Sequence, residues 1–126
     1  MLSELHVRNF ALIERADLEF GPGMTVLSGE TGAGKSVLID SINAALGAKA
    51  GKDLIRTGCE SAYIELLFTE TGAGTAEKLR ALGITPEEDG TIILSRRILP
   101  NRSVFRLNDC AVTASALRDQ IGRAHV

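Results

Sequence analysis

Eight consecutive residues, Gly29-Glu30-Thr31-Gly32-Ala33-Gly34-Lys35-Ser36, satisfy every fixed position of the phosphate-binding pattern G-x-x-x-x-G-K-[ST]. Each residue type has a physical task. Gly29, Gly32 and Gly34 let the backbone fold around a phosphate with its N–H groups pointing inward. A helix starting near Lys35 adds the partial positive charge of its N-terminus at the same point. The Lys35 ammonium suits the β- and γ-phosphates of a nucleotide, and the Ser36 hydroxyl suits Mg²⁺. Glu30, Thr31 and Ala33 complete the loop as backbone contributors. The pattern names a ligand class rather than a reaction. A GTPase would also need an Asn/Thr-Lys-x-Asp guanine reader, and none occurs in the chain. A small kinase or other stand-alone P-loop module stays open.

The flanking sequence has to position that loop. Met24-Thr25-Val26-Leu27 is a short apolar run suited to a buried strand. After the loop, Val37, Leu38, Ile42, Ala45 and Leu46 recur at helical spacing, and Gly47 is a natural stop. Leu5–Phe10 and Ala16–Phe20 alternate as strands, the first setting Leu5, Val7 and Asn9 against His6, Arg8 and Phe10. Residues 48–60 read as a polar connection, 62–68 as a strand, and 75–82 as a helix stopped by Gly83. Residues 91–99 and 104–108 read as a hairpin around Pro100-Asn101-Arg102-Ser103, and Thr113 as the cap of a last helix, 114–120. Strands outnumber helices, so the class is α/β or α+β with a mixed sheet. The second Glu-Thr-Gly-Ala-Gly run, 70–74, lacks the lysine and is read as a flexible loop.

Composition bounds the rest. The chain has 126 residues, 44% hydrophobic and 24% charged, with a formal net charge of −2. That suits one small domain or part of a larger one and excludes a disordered chain. No apolar run approaches the ~18–20 residues of a membrane span. Cys59 and Cys110 cannot make a disulfide framework, so a reducing cytosol is the default. A chain that is not a polycation must touch nucleic acid, if at all, through a local patch.

Several blocks together resemble the N-terminus of the RecN family, bacterial DNA double-strand-break repair ATPases related to the SMC proteins. The blocks are Leu5–Ile13, Gly23–Ser28, the loop Gly29–Ser36, Ile39–Ile42, Asp53–Gly58, Ser95–Ile98 and Asn101–Ser103, in that order and spread to about Asp119. The resemblance implies a P-loop fold: the N-terminal half of an ABC/SMC-type ATPase head, over 1–120, with few helices. It implies ATP and Mg²⁺ as cofactors, and a second head as partner in a homodimer that sandwiches two ATP. DNA would be engaged by the intact protein, in the cytoplasm at the nucleoid and without a membrane. Arg8 and Asn9 resemble head positions that approach nucleotide, the alternative being a solvated strand end.

Other parts of such a head do not occur in the sequence. No four-residue apolar run ends in Asp-Glu, and no Leu-Ser-Gly-Gly-Glu signature occurs outside the partial mimic Leu27-Ser28-Gly29-Glu30. The chain is therefore expected to grip phosphate without cleaving it, and no catalytic residue is assigned. Ile121-Gly122-Arg123-Ala124-His125-Val126 resembles a translated sequencing adapter and is expected to be a non-biological tail, which removes His125 from consideration.

Smaller candidates complete the reading. Arg96, Arg97, Arg102 and Arg106 cluster on the expected hairpin, either to meet DNA phosphate or to keep an edge soluble. Lys49, Lys52 and Arg56 offer the same two readings. His6 is expected to be structural, and Phe68 rather than Tyr63 to face the core.

Overall fold

The computed structural model describes residues 2–20, 25–29, 35–69 and 73–119. Seven strands form one sheet: β1 (Leu2–Phe10), β2 (Ile13–Glu19), β3 (Thr25–Gly29), β4 (Ala62–Phe68), β5 (Ile92–Ile98), β6 (Ser103–Leu107) and β7 (Cys110–Val112). Their spatial order is β3-β2-β1-β4-β5-β6-β7, and every pairing among the described residues is antiparallel. Three α-helices accompany them: α1 (Lys35–Ala45), α2 (Ala73–Ala81) and α3 (Ala114–Leu117). The sheet-dominated architecture with few helices is the one anticipated. β1 and β4, whose partners run from Arg8–Tyr63 to Leu2–Phe68 and so lie 55 to 66 residues apart in sequence, pair at the sheet centre, so the fold rests on a long-range strand pairing.

One face of the sheet is apolar and covered. Along β4 the burial alternates without a break: Ala62, Ile64, Leu66 and Phe68 are buried, Tyr63, Glu65 and Leu67 half-buried. Phe68 is core and Tyr63 lies on the other face, as expected from the two-residue period. Leu5, Val7, Leu94, Ile98 and Leu107 continue the buried face, and Ala44 and Ala45 of α1, Leu79 of α2 and Leu117 of α3 join the same core. Burial of this face is the main source of stability, at about 25 cal/mol per Å² of apolar surface.

The glycine stops hold. Gly47 has φ 110°, its N–H donates to the Ala44 carbonyl, and the Ala48 N–H donates to the Asn43 carbonyl. That reciprocal pattern satisfies the last carbonyls of α1 and needs left-handed backbone at Gly47. Gly83 repeats it after α2, at φ 80°, with bonds to the Arg80 carbonyl and from Ile84 to the Leu79 carbonyl. Thr113 caps α3, its hydroxyl accepting from the Ala116 N–H at 3.1 Å.

Four expectations change. Phe10 joins Leu5 and Val7 in the core instead of facing away with His6 and Arg8, because Asn9 adopts φ 54° and breaks the alternation. Ala73 and Gly74, read as loop, open α2. Residues 48–60 are more than a connection. A short 3₁₀ turn at Lys52–Leu54 leads into Ile55, which bridges Phe10, while Ala11 donates to the Leu54 carbonyl and Arg56 to the Asn9 carbonyl. A seventh strand, β7, follows the two-residue turn Asn108-Asp109, both at positive φ (47° and 68°). Left-handed backbone at both positions matches the twist of the flanking strands.

Candidate phosphate-binding site

β3 ends at Gly29 and α1 begins at Lys35, so the strand and helix expected to flank the loop are both present. Glu30, Thr31, Gly32, Ala33 and Gly34 lie outside the described residues. Ser36 sits exposed in the first turn of α1. β3 is positioned by β2: Ala16 pairs with Gly29 and Asp17 with Ser28.

A set of charged side chains lies on the adjoining hairpin. Asp17 is 4% exposed, and three basic side chains converge on it. His6 Nδ1 lies 2.6 Å and Arg8 Nη2 2.9 Å from Oδ1, and Arg15 Nε donates to Oδ2 at 2.9 Å. The far ring nitrogen of His6 lies 2.9 Å from a Glu4 oxygen. Burial alone would lower the His6 pKa, but the hydrogen bonds to Asp17 and Glu4 outweigh it and hold the imidazole above its usual value. In the protonated ring both nitrogens donate to carboxylates. His6 is structural, as expected. Asp17 was not foreseen. Its signal lay in the pairing of His6-x-Arg8 with Arg15-x-Asp17 on the polar face, visible only once the hairpin register is known.

Arg8 commits its guanidinium to this network, donating also to the carbonyls of Val7 (2.8 Å) and Ala16 (3.4 Å). Asn9 forms the left-handed turn that receives the Arg56 N–H. The two are therefore built into the hairpin and its brace. Arg56 also donates from Nη1 to the Leu12 carbonyl at 3.2 Å, whereas Lys49 and Lys52 are exposed.

The arginine cluster divides. Arg96 is 5% exposed and belongs to the core face. Its Nη1 donates to the carbonyls of Ala44 (2.8 Å) and Ala48 (2.6 Å), Nη2 to Ala50 (3.3 Å), and Nε to Ser103 Oγ (3.0 Å). The guanidinium lies 4.5 Å from the centroid of Phe105. Arg96 thus caps the far end of the helix that begins at Lys35, where a cation complements the carbonyl dipoles. It is unavailable to nucleic acid. Arg97, Arg102 and Arg106 are exposed.

The AAA domain family model matches residues 4–101, a span that includes both flanks of the loop. The chain belongs to the AAA domain family. The chain is 42% identical over 123 residues to the DNA repair protein RecN of Synechocystis sp., covering 94% of its own length and 21% of that protein. It spans about a fifth of the length of the RecN proteins it matches. The resemblance to RecN read from the sequence is thereby borne out. Among solved structures, the Smc head domain from Pyrococcus furiosus, bound to the C-terminal domain of ScpA, superposes with TM-score 0.69 at 24% identity, over 95% of this chain and 32% of that one. A structure described under ATP-driven dimerisation and DNA-stimulated activation of SMC ATPases gives TM-score 0.68 at 23% identity, covering 95% of this chain and 76% of that one. These two likenesses establish the SMC-type head fold. Among the described residues no three His, Cys, Asp or Glu side chains gather to hold a metal ion, and no helix is long and apolar enough to cross a membrane.

Proposed function

We propose that this chain is the ATP-gripping N-terminal part of a RecN-type head, binding Mg-ATP through Gly29–Ser36 and acting in DNA double-strand-break repair as part of the longer protein. The observation that carries the reading is a complete phosphate-loop pattern lying between a strand that ends at Gly29 and a helix that begins at Lys35. The loop's backbone amides and the N-terminus of α1 hold the phosphates. Lys35 neutralises the β- and γ-oxygens. Ser36, exposed in the first turn, fits as one oxygen ligand of Mg²⁺, a hard cation that keeps several waters. Arg8 reaches a nucleotide only by leaving Asp17, so it takes no direct part here. The Asp-Glu pair and signature sequence needed for turnover belong to the remainder of the protein, as does the coiled coil that joins the two halves. Two such heads then sandwich ATP and couple its binding to DNA. The work is done in the cytoplasm, at the nucleoid, and residues 121–126 take no part in it.

Calorimetric titration of Mg-ATP into the wild type and Lys35→Ala tests this, with phosphate release assayed alongside. Wild-type binding weakened at least about tenfold by the substitution, a loss of about 1.4 kcal/mol, is expected, with no steady release from either. Equal affinity of the two proteins overturns the site. Steady turnover by the pure chain instead favours the stand-alone NTPase or small-kinase reading.

A further inference from the structure

The face of the sheet opposite the core is polar, and its charges are unevenly balanced. Strand register aligns Arg15, Arg8, Tyr63, Arg97 and Val104 in one row across β2, β1, β4, β5 and β6. Asp17, His6, Glu65, Ser95 and Arg106 form the next row. Toward β2 the cations are answered by Asp17 and Glu4. Toward β5 and β6 they are not. Arg97, Arg102 and Arg106 line one open concavity of about 400 Å³. Its two carboxylates, Glu65 and Asp109, form no ion pair with them among the described residues. Glu65 accepts the Tyr63 hydroxyl at 2.9 Å, and Arg106 reaches only the Asp109 main-chain oxygen, at 3.5 Å. Arg97 lies over the Tyr63 ring, 4.9 Å from its centroid, and donates to Ser61 Oγ at 3.2 Å. Arg102 projects from the turn between β5 and β6, which is closed by main-chain bonds between Leu99 and Arg102.

Three guanidinium forks outnumber the two carboxylates of the groove and form no ion pair with them among the described residues, so an anion that spans the forks is favoured. The anion has to be extended, since the forks come from strand, turn and neighbouring strand instead of converging on one point. The groove is open and polar and offers no enclosed slot for a base, unlike a site for a free nucleotide. Tyr63 already stacks against Arg97, which removes the one ring on which a base could stack.

We propose that Arg97, Arg102 and Arg106 form a docking groove for the phosphodiester backbone of DNA, gripping phosphate without reading bases. This deepens the DNA-engagement part of the proposed function and rests on it, but it is independent of the nucleotide site. The contacts are sequence-neutral by construction, because arginine forks match phosphate oxygens and nothing in the groove reaches a base edge.

Fluorescence anisotropy of a labelled mixed-sequence duplex, titrated with the 126-residue chain over a range of salt, tests the groove. The triple variant Arg97→Gln/Arg102→Gln/Arg106→Gln should lose about tenfold or more in affinity at low salt, and its log–log salt slope should fall by about 2.7, or ~0.9 per phosphate contact. Arg102→Gln alone, at a turn with no side-chain partner to lose, should lower the slope by about 0.9, and covers the case of a triple variant that fails to fold. Removing charge elsewhere, as Lys78→Gln/Arg80→Gln on α2, should leave the slope unchanged, and Lys35→Ala should bind the duplex like wild type. Equal losses in the triple and control variants, or none in the triple, overturn the groove while leaving DNA binding standing. No duplex binding by the wild type at low salt overturns both. Displacement by polyglutamate as effective as by unlabelled DNA shows an acidic-protein site and overturns the DNA assignment.

Discussion

Arg96 and Arg97 are neighbours in the chain with the same chemistry, and the pleat of β5 sends them to opposite fates. Arg96 is 5% exposed, with four hydrogen-bond partners and an aromatic ring beneath it, and it caps the helix that begins at Lys35. Arg97 is exposed and hydrogen-bonds one hydroxyl at the far side of the sheet. The difference teaches that a cluster of like residues in sequence is not a cluster in space when the period is two. What a strand arginine does is set by the face it occupies.

The sharpest way to break this contrast is to truncate each in turn. Arg96→Ala empties a buried position on the core face and strips the carbonyls of Ala44, Ala48 and Ala50 of the cation they share, and should destabilise the fold by about 3 kcal/mol or more, against under about 0.5 for Arg97→Ala. Urea denaturation followed by circular dichroism reads both values. Similar losses at the two positions would show that the face does not decide the role.

Asp17 is the buried counterpart on the polar face, and it extends the comparison to a carboxylate. Asp17→Asn removes the charge that His6, Arg8 and Arg15 share and should cost about 2–3 kcal/mol, less than Arg96→Ala because the freed cations are partly solvated. Glu19→Gln, one pair of residues further along β2 and exposed, should cost under about 0.5 kcal/mol. Equal melts for the two variants would remove Asp17 from its place at the centre of the network.

The smallest effect is a pH dependence. The His6 pKa is raised in the folded state above its unfolded value near 6.5. Protonated His6 therefore favours folding. Its contribution is complete below about pH 6.5 and is lost as pH rises through the folded pKa. Wild type should lose melting temperature from pH 6 to pH 8 relative to His6→Gln, whose profile lacks this component. Parallel profiles would contradict a protonated His6 bridging Glu4 and Asp17.

The legible features were those set by local physics. The alternation of residues 62–68 fixes β4 to the residue, because one face of that strand is buried along its whole length. Gly47 and Gly83 stop helices because only they adopt the left-handed backbone without strain. The hidden features depend on tertiary structure. Asn9 turning left-handed moved Phe10 into the core, a change that alternation cannot foresee. The inward role of Arg96 needs the end of α1 beside β5, and the Asp17 network needs the β1–β2 register. At the candidate site the pattern of residues 29–36 was plain from the sequence and the flanking strand and helix are found, whereas the brace behind Asn9 came only from the fold.

The most direct test of the central claim is an amide-resolved NMR titration of the chain with Mg-ATP. The account expects the largest shifts at Gly29–Ser36 and the first turn of α1, with Arg97, Arg102 and Arg106 on the far face unmoved. Shifts centred on that arginine groove, with the loop silent, would contradict it and make the outer face of the sheet the nucleotide site.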